Sequence, residues 1–273
     1  MHPDLQRRVQ RYGWDKASDY YENSWKEQLK PAQEKLIEFA ELKPGEKILE
    51  TACGTGLVTQ RIVEAVQPKG EILATDLSEN MLKLAEERVN VNGDVRIQFK
   101  WMDAEDLDLD DQLFDVTLSG LGLMYVPDPV QSLKEKYRVL KPKGRVALAI
   151  WGERKQCGWA DIFPIVDKRV ETDVCPMFFQ QGTGETLAYS LKNAGFSDIE
   201  TERFSTVLNY PTEEMAVMAA FAGGPVALAY RKFDDEVKKQ AHKEYLDSIA
   251  PYRKGEGFEI PGEFLVARAV KSE

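Results

Sequence analysis

In the first half of the chain, two kinds of segment, which differ in the spacing of their apolar residues, alternate. Short segments rich in apolar residues, which are typical of strands, recur five times, at residues 47–50, 71–75, 95–101, 113–119 and 145–151. Between them, segments such as 57–66 and 127–140 repeat their apolar residues every three or four positions, which predicts amphipathic helices. Strands that alternate with helices favour an α/β fold with a doubly wound, mostly parallel sheet.

The pattern continues at both ends of this region. A helix is predicted over residues 31–40, with Pro31 in its first turn. Beyond residue 151 the rhythm loosens, and the later elements that we predict are a helix at 186–194, strands at 199–208 and 264–270, and helices near 212–222 and 234–249. We therefore expect a Rossmann-like sheet of seven strands in a single domain.

Composition narrows the class of protein. Of 273 residues 43% are hydrophobic and 30% charged, as in an ordinary globular protein, and the net charge of −10 gives no basic footprint for nucleic acid. The longest uncharged stretch, 215–230, is too short to span a membrane. Three cysteines without a CxxC pair, and a start without a basic-then-apolar leader, favour a cytoplasmic protein without a metal site.

A glycine-rich turn follows the first predicted strand. Gly54 and Gly56 would leave backbone N–H groups free, and Asp76, twenty residues past Gly56, ends the next strand, where an acid can hold a ribose. A dinucleotide fingerprint needs a third glycine where this chain has Thr59. Asp103 ends the third strand and could accept from an adenine amino group. A plain strand-to-helix turn, and an acidic surface loop at 103–111, remain as alternatives.

Several motifs together resemble one family. Residues 50–56 read Glu-Thr-Ala-Cys-Gly-Thr-Gly, Asp76 ends a strand, Asp103 precedes Ala104, and the segment from 114 to 128 begins Phe-Asp-Val-Thr-Leu-Ser and ends Val-Pro-Asp. This set resembles class I S-adenosylmethionine-dependent methyltransferases, and more narrowly the branch related to ubiquinone/menaquinone-biosynthesis methyltransferases, over roughly residues 30–205. The chain departs from that pattern at Ala52, where the first loop glycine is expected, and at 141–144, which read Lys-Pro-Lys-Gly.

The resemblance implies a division of the chain and a cofactor, S-adenosylmethionine, with S-adenosylhomocysteine as its product. Residues 1–44 would form a helical lid, 45–208 the nucleoside-binding core, 209–262 a helical cap and 263–273 the last strand. The loop would hold the methionine and ribose, Asp76 both ribose hydroxyls, Asp103 and Ala104 the adenine, and the backbone of Ser119 the methionine amino group. The cofactor contacts that we expect are Tyr21, Glu50, Ala52, Cys53, Gly54, Gly56, Asp76, Leu77, Met81, Asp103, Ala104 and Ser119.

The acceptor side is less defined. The segment 12–25 is unusually aromatic, and the walls that we expect around an apolar or aromatic small molecule are Tyr12, Trp14, Tyr125, Trp151, Phe178 and Phe179. No catalytic residue is predicted, because His2 and His242 lie in surface-like contexts and Asp128 is equally suited to cap a helix. Cys157 and Cys175 are interpreted as buried structural thiols.

These features predict methyl transfer from S-adenosylmethionine to a small-molecule acceptor by in-line displacement. Whether carbon, nitrogen, oxygen or sulfur is methylated stays open, as does the oligomeric state. Two alternatives rest on the same turn. One is a nicotinamide-dinucleotide oxidoreductase, which Thr59 disfavours, and the other is a cofactor-binding pseudo-enzyme, which Ala52 and the absence of a predicted base would suit.

Overall fold

A computed structural model describes residues 3–171, 175 and 177–273, and the side chains from residue 5 onward. The strands are Lys47–Thr51 (β1), Lys69–Asp76 (β2), Asp94–Trp101 (β3), Phe114–Gly120 (β4), Leu140–Trp151 (β5), Ser197–Tyr210 (β6), Arg253–Lys254 (β7) and Gly257–Val270 (β8). The helices are Pro3–Ala40 (α1), Leu57–Val66 (α2), Glu79–Arg88 (α3), Pro129–Val139 (α4), Ile162–Asp167 (α5), Thr186–Asn193 (α6), Glu213–Phe221 (α7), Ala227–Tyr230 (α8) and Asp235–Ile249 (α9).

The strands form one sheet in the order β3-β2-β1-β4-β5-β8-β6. Strands β1 to β5 are parallel, and β8 runs antiparallel between β5 and β6. The seven predicted strands are thereby confirmed, with the two-residue β7 added beside β8. Because the strand order reverses between β1 and β4, a crevice opens at the carboxyl ends of these two strands, where ligands bind in such sheets.

The central strands are buried by helices that pack in two groups. Every residue of β1 after Lys47 is buried, as are the last eight residues of β5. Helix α4 packs against α6, whereas α1 packs against α2 and α3. A parallel sheet needs such cover on both faces, which is why the central strands β1, β4 and β5 are largely apolar, whereas the edge strand β3 alternates apolar and polar residues.

Helix α1 departs most from the sequence analysis. The prediction that this helix begins at Pro31 was wrong, because the structure has Pro31 inside a helix that starts at Pro3. A proline there removes one backbone hydrogen bond. Buried residues such as Ala17, Trp25 and Leu29 continue the apolar stripe upstream, so that packing against the core outweighs the lost bond.

The C-terminal region matches its predicted elements with shifted ends. Helices α7 and α9 lie where helices were predicted, and the short α8 lies between them. The last strand begins at Gly257, earlier than the predicted 264, and forms a long antiparallel pair with β6. The insertion between the last two long strands therefore ends at residue 256 rather than at 262.

Candidate active site

One cavity occupies the crevice at the carboxyl ends of the central strands. Its empty volume is about 1080 Å³, counted out to its mouth, and α1 lies across it. The structure brings together most of the predicted site residues around it, namely Trp14, Tyr21, Ala52, Gly54, Asp76, Leu77, Met81, Asp103, Ala104, Tyr125, Trp151 and Phe178.

The turn after β1 approaches the cavity with its backbone. Ala52, Gly54 and Gly56 all have left-handed backbone angles, with φ of 56°, 55° and 81°. A Cβ placed on Gly54 would meet no protein atom within 4 Å, so it would enter the ligand space instead. Gly56 has a different role, because a Cβ there would lie 2.9 Å from Val89 and 3.1 Å from Ala85.

Two backbone hydrogen bonds orient the carboxylate of Asp76. Its Oδ2 accepts the backbone N–H of Gly54 and its Oδ1 that of Ser78, each at 2.8 Å. Since a carboxylate oxygen can accept two hydrogen bonds, each oxygen keeps one site for a ribose hydroxyl. Burial raises the pKa of Asp76 to about 6, so that the group is charged at neutral pH.

Asp103 lies farther along the same wall. Its Oδ1 accepts the backbone N–H of Glu105 at 2.9 Å, and its Oδ2 lies 3.0 Å from Nε of Arg7 on α1. The buried Glu105 also pairs with Arg7 and accepts the backbone N–H of Asp128. Asp128 caps α4 through Gln131, which settles the role that the sequence left open. We name Asp76, Asp103 and Glu105 the acidic end of the cavity.

The opposite end is aromatic. Trp151 packs edge-on against Trp159 with ring centroids 4.9 Å apart, and Trp25 lies 6.3 and 6.1 Å from these two rings. Phe178 joins them, 5.6 Å from Trp159. We name these four rings the aromatic end. All charged side chains that the structure describes in the cavity wall lie outside this end, on the side of Asp76 and Asp103.

Two phenols lie between the ends. Trp14 packs edge-on against Tyr21 at 5.8 Å and against Tyr125 at 5.0 Å. Burial raises the pKa of Tyr21, and the charge of Asp76 adds to the effect. Burial likewise raises the pKa of Tyr125. Both hydroxyls therefore stay protonated and can donate hydrogen bonds into the cavity.

Six of the predicted site residues do not line the cavity, and Phe179 is one of them. Tyr12 lies on the outer side of α1 with 48% of its surface exposed, and Gly56 packs against α3 as described above. Ser119 is buried in β4, one residue before the cavity wall begins at Gly120. Their assignments as ligand contacts stay predictions, as do those of the two residues that lie beneath the turn, Glu50 and Cys53.

Glu50 and Cys53 are buried under the turn. Thr59 donates to Oε2 of Glu50 at 2.6 Å, whereas Oε1 has no hydrogen-bond partner among the residues that the structure describes. Burial raises the pKa of Glu50 to about 8 and that of the Cys53 thiol as well. Thr59, which replaces the third glycine of a dinucleotide fingerprint, is thus engaged with the floor of the site.

Sequence reasoning missed part of the wall. Arg7, Gln10, Arg11 and Leu29 share the face of α1 that carries Trp14 and Tyr21, and their helical spacing from these aromatic residues was a usable signal. Trp25 both lines the cavity and belongs to the core. No local pattern marked Trp159, Gly224 or Pro225, which only the tertiary fold brings to the cavity.

Other candidate groups lie elsewhere. His242 contacts the hydroxyl of Tyr230 at 2.8 Å, away from the cavity, and His2 lies outside the described residues. On α7, Met215 is exposed and Phe221 is buried, and neither lines the cavity, while Phe179 packs on Trp159 outside the wall. The three cysteines are free and buried.

Within residues 3–171, 175 and 177–273, no cluster of three or more metal-ligating side chains occurs. In that same part of the chain, no helix combines the length and apolarity that a membrane crossing requires.

The fold and this site together define a nucleoside-binding α/β protein, and comparison with known proteins gives its family. The chain matches the ubiE/COQ5 methyltransferase family over residues 24–157. It is 42% identical over 118 residues to demethylmenaquinone methyltransferase of Staphylococcus carnosus, covering 43% of this chain and 48% of that protein. With the protein of the same name from Lysinibacillus sphaericus it shares 30% identity over 188 residues, covering 68% of this chain and 78% of that protein.

The chain belongs to the ubiE/COQ5 methyltransferase family. It spans about half the length of the S. carnosus relative and 78% of the L. sphaericus relative. Among solved structures, Haemonchus contortus phosphoethanolamine N-methyltransferase 2 in complex with S-adenosyl-L-methionine is similar, with a TM-score of 0.57 and 21% identity over 89% of this chain and 53% of that one. This likeness confirms the Rossmann-like methyltransferase fold, and function has to be argued from the site.

Proposed function

We propose that this protein transfers a methyl group from S-adenosylmethionine to an uncharged aromatic small molecule. The observation that carries the proposal is a single cavity with carboxylates at one end and uncharged aromatic rings at the other. Such a division suits a polar nucleoside cofactor beside an apolar acceptor. The relatives are demethylmenaquinone methyltransferases, which supports a quinol-type ring as the acceptor.

The acidic end fits an adenosine. Asp76 has one free acceptor site on each oxygen for the two ribose hydroxyls, and Gly54 leaves room for close approach of the ligand. Asp103, with the small Ala104 beside it, would accept from the adenine amino group. When bound, S-adenosylmethionine would supply a methyl group activated by a sulfonium.

Positions along helix α1 show how far apart the two ends of the cavity lie. Arg7 lies at Asp103, and Asp15 lies eight residues farther along, where its carboxylate contacts Ser78 beside Asp76. At 1.5 Å per residue these two levels are about 12 Å apart. Trp25 lies about 15 Å beyond Asp15 along the helix axis, so the aromatic end lies farther along the same cavity than the adenosine would.

The chain's own contribution to the reaction would be alignment and exclusion of water. An in-line displacement needs the acceptor atom, the methyl and the sulfur on one line, and rigid walls such as Trp151 and Trp159 restrict the acceptor to few orientations. The protonated hydroxyls of Tyr21 and Tyr125 can donate to an oxygen of the acceptor ring. A neutral acceptor gives up one proton for the methyl that it gains; no side chain is assigned as its base, so this proton would leave to solvent at the mouth of the cavity.

Calorimetric titration with S-adenosylhomocysteine tests the cofactor. We expect saturable binding by the wild type and about 100-fold weaker binding by Asp76→Asn, because the variant loses charge-assisted hydrogen bonds to both hydroxyls and turns an amide N–H₂ toward a backbone donor. Asp108→Asn, at an exposed acid of the same chain, is the matched control. Absence of binding at millimolar ligand, or binding of NAD(H) alone, would overturn the proposal.

The acceptor is tested by product formation. The protein is incubated with S-adenosylmethionine and a panel of reduced quinones and other aromatic compounds, and methylated products are identified by mass spectrometry. We expect product from a neutral aromatic acceptor and from no charged one. Cofactor binding without any methylated product across the panel would favour the pseudo-enzyme instead.

A further inference from the structure

Asp15 of helix α1 contacts the turn that follows the ribose acid. Its Oδ1 accepts the hydroxyl of Ser78 at 2.5 Å and lies 3.4 Å from the backbone N of Asn80. The side-chain amide of Asn80 donates to the carbonyl oxygen of Asp15 at 3.1 Å. Three contacts from one lid residue thus reach the loop after β2 and the first turn of α3.

Ser78 connects Asp15 to Asp76 through hydrogen bonds. Its backbone N–H donates to Oδ1 of Asp76, and its hydroxyl oxygen accepts the N–H of Met81, which caps α3. Ser78 is completely buried, so this arrangement leaves its side chain little freedom. Asp15, Ser78 and Asp76 therefore form a continuous chain of polar groups from the lid to the ribose site.

We propose that Asp15 is a positioning residue for the ribose-binding carboxylate Asp76, acting through Ser78, so that full affinity for the cofactor requires a seated α1. The inference rests on the proposed cofactor. It assigns to the lid a polar role in cofactor binding that is separate from any contact with the ligand, because Asp15 itself is not part of the cavity wall.

The charge of Asp15 also acts on Asp76. Burial is the main reason that the pKa of Asp76 is raised, and the Asp15 carboxylate adds to it. The other titratable groups that face Asp76 are Glu50 on β1, Cys53 in the turn and Tyr21 on α1. Burial raises the pKa of each of these three, which leaves them largely uncharged near neutral pH, so Asp15 is the charged neighbour that remains.

Two variants separate position from charge. In Asp15→Asn the side-chain oxygen can still accept from Ser78 but the charge is gone, whereas Asp15→Ala removes both. At pH 8 we expect S-adenosylhomocysteine to bind Asp15→Ala at least tenfold more weakly and Asp15→Asn within threefold of the wild type. The pH midpoint at which binding is gained, near the pKa of about 6 of Asp76, should fall in Asp15→Asn.

The controls make both outcomes readable. Asp19→Asn removes an exposed charge four residues along the same helix and should leave affinity and midpoint unchanged. If both Asp15 variants bind like the wild type with an unchanged midpoint, or lose only thermal stability, the inference is refuted while the proposed function stands. If the wild type binds no S-adenosylhomocysteine, it is the proposed function that fails.

Discussion

The buried carboxyl of Glu50 should make the stability of the fold depend on pH. The side chain is 1% exposed, Thr59 is its hydrogen-bond donor, and burial raises its pKa from 4.5 to about 8. A raised pKa favours the protonated form in the folded state. The stability that this group contributes is therefore fully present below pH 4.5 and is lost as the pH rises toward 8.

The magnitude follows from linkage. One pKa unit corresponds to about 1.4 kcal/mol, so the loss grows from about 1 kcal/mol at pH 5 to about 5 kcal/mol at pH 9. In Glu50→Gln the titration is absent. The new amide would leave an N–H₂ without an acceptor at the position of Oε1, which costs about 1–3 kcal/mol at every pH. The variant should therefore be the less stable protein at pH 5 and the more stable one at pH 9.

Urea unfolding of the ligand-free protein at pH 5, 7 and 9 measures this difference. We expect the free energy of unfolding of Glu50→Gln, relative to the wild type, to rise by about 4 kcal/mol between pH 5 and pH 9. Glu86→Gln, at an exposed position of α3, should show no such trend. Parallel pH profiles for Glu50→Gln and the wild type would show that folding leaves the pKa of this carboxyl unchanged, which contradicts the prediction.

Two further predictions concern the floor of the site and the opposite sign of pH dependence. A Cβ on Gly122 would collide with Cβ of Ala52, so Gly122→Ala should cost about 1–3 kcal/mol. Adding Ala52→Gly to this variant should restore most of the lost stability. If a double-mutant cycle measured by denaturation shows that the two substitutions act additively, the contact does not limit stability. Burial lowers the pKa of Lys136 from 10.5 to about 7, and its ammonium donates to Ser132. At pH 6 we expect Lys136→Met to have a higher free energy of unfolding than the wild type. This difference should shrink by about 4 kcal/mol between pH 6 and pH 10, and a difference that does not change with pH would contradict the prediction.

The sequence contained enough information for the sheet and for the acidic end of the site. Asp76 and Asp103 each stand at or just after the end of an apolar run, and the carboxyl ends of parallel strands meet at one edge, so their place in the cavity follows from local pattern. The aromatic end did not follow in the same way. Trp159 and the loop at Gly224 reach the cavity through contacts between distant parts of the chain, which no local period encodes.

The bounds of α1 show why local rules failed where they did. Pro31 is a strong local stop signal, but a helix is stabilised mainly by the face that it buries, and α1 buries residues from Ala17 to Ala40 against the core. Its upstream part is held instead by polar contacts such as those of Arg7 and Asp15 with the acidic end. A local helix rule has no access to either contribution.

The two parts of α1, one held by polar contacts and one packed in the core, would behave differently when the lid opens. From Ala17 onward the helix is part of the core and cannot leave without exposing apolar surface, whereas Arg7 and Asp15, which contact the acidic end, are only partly buried themselves. Opening for cofactor exchange would thus take place at the acidic end while the aromatic end stays formed. A cofactor that restores the order around Asp76 and Asp103 would then favour the seated lid, since binding and seating depend on the same carboxylates.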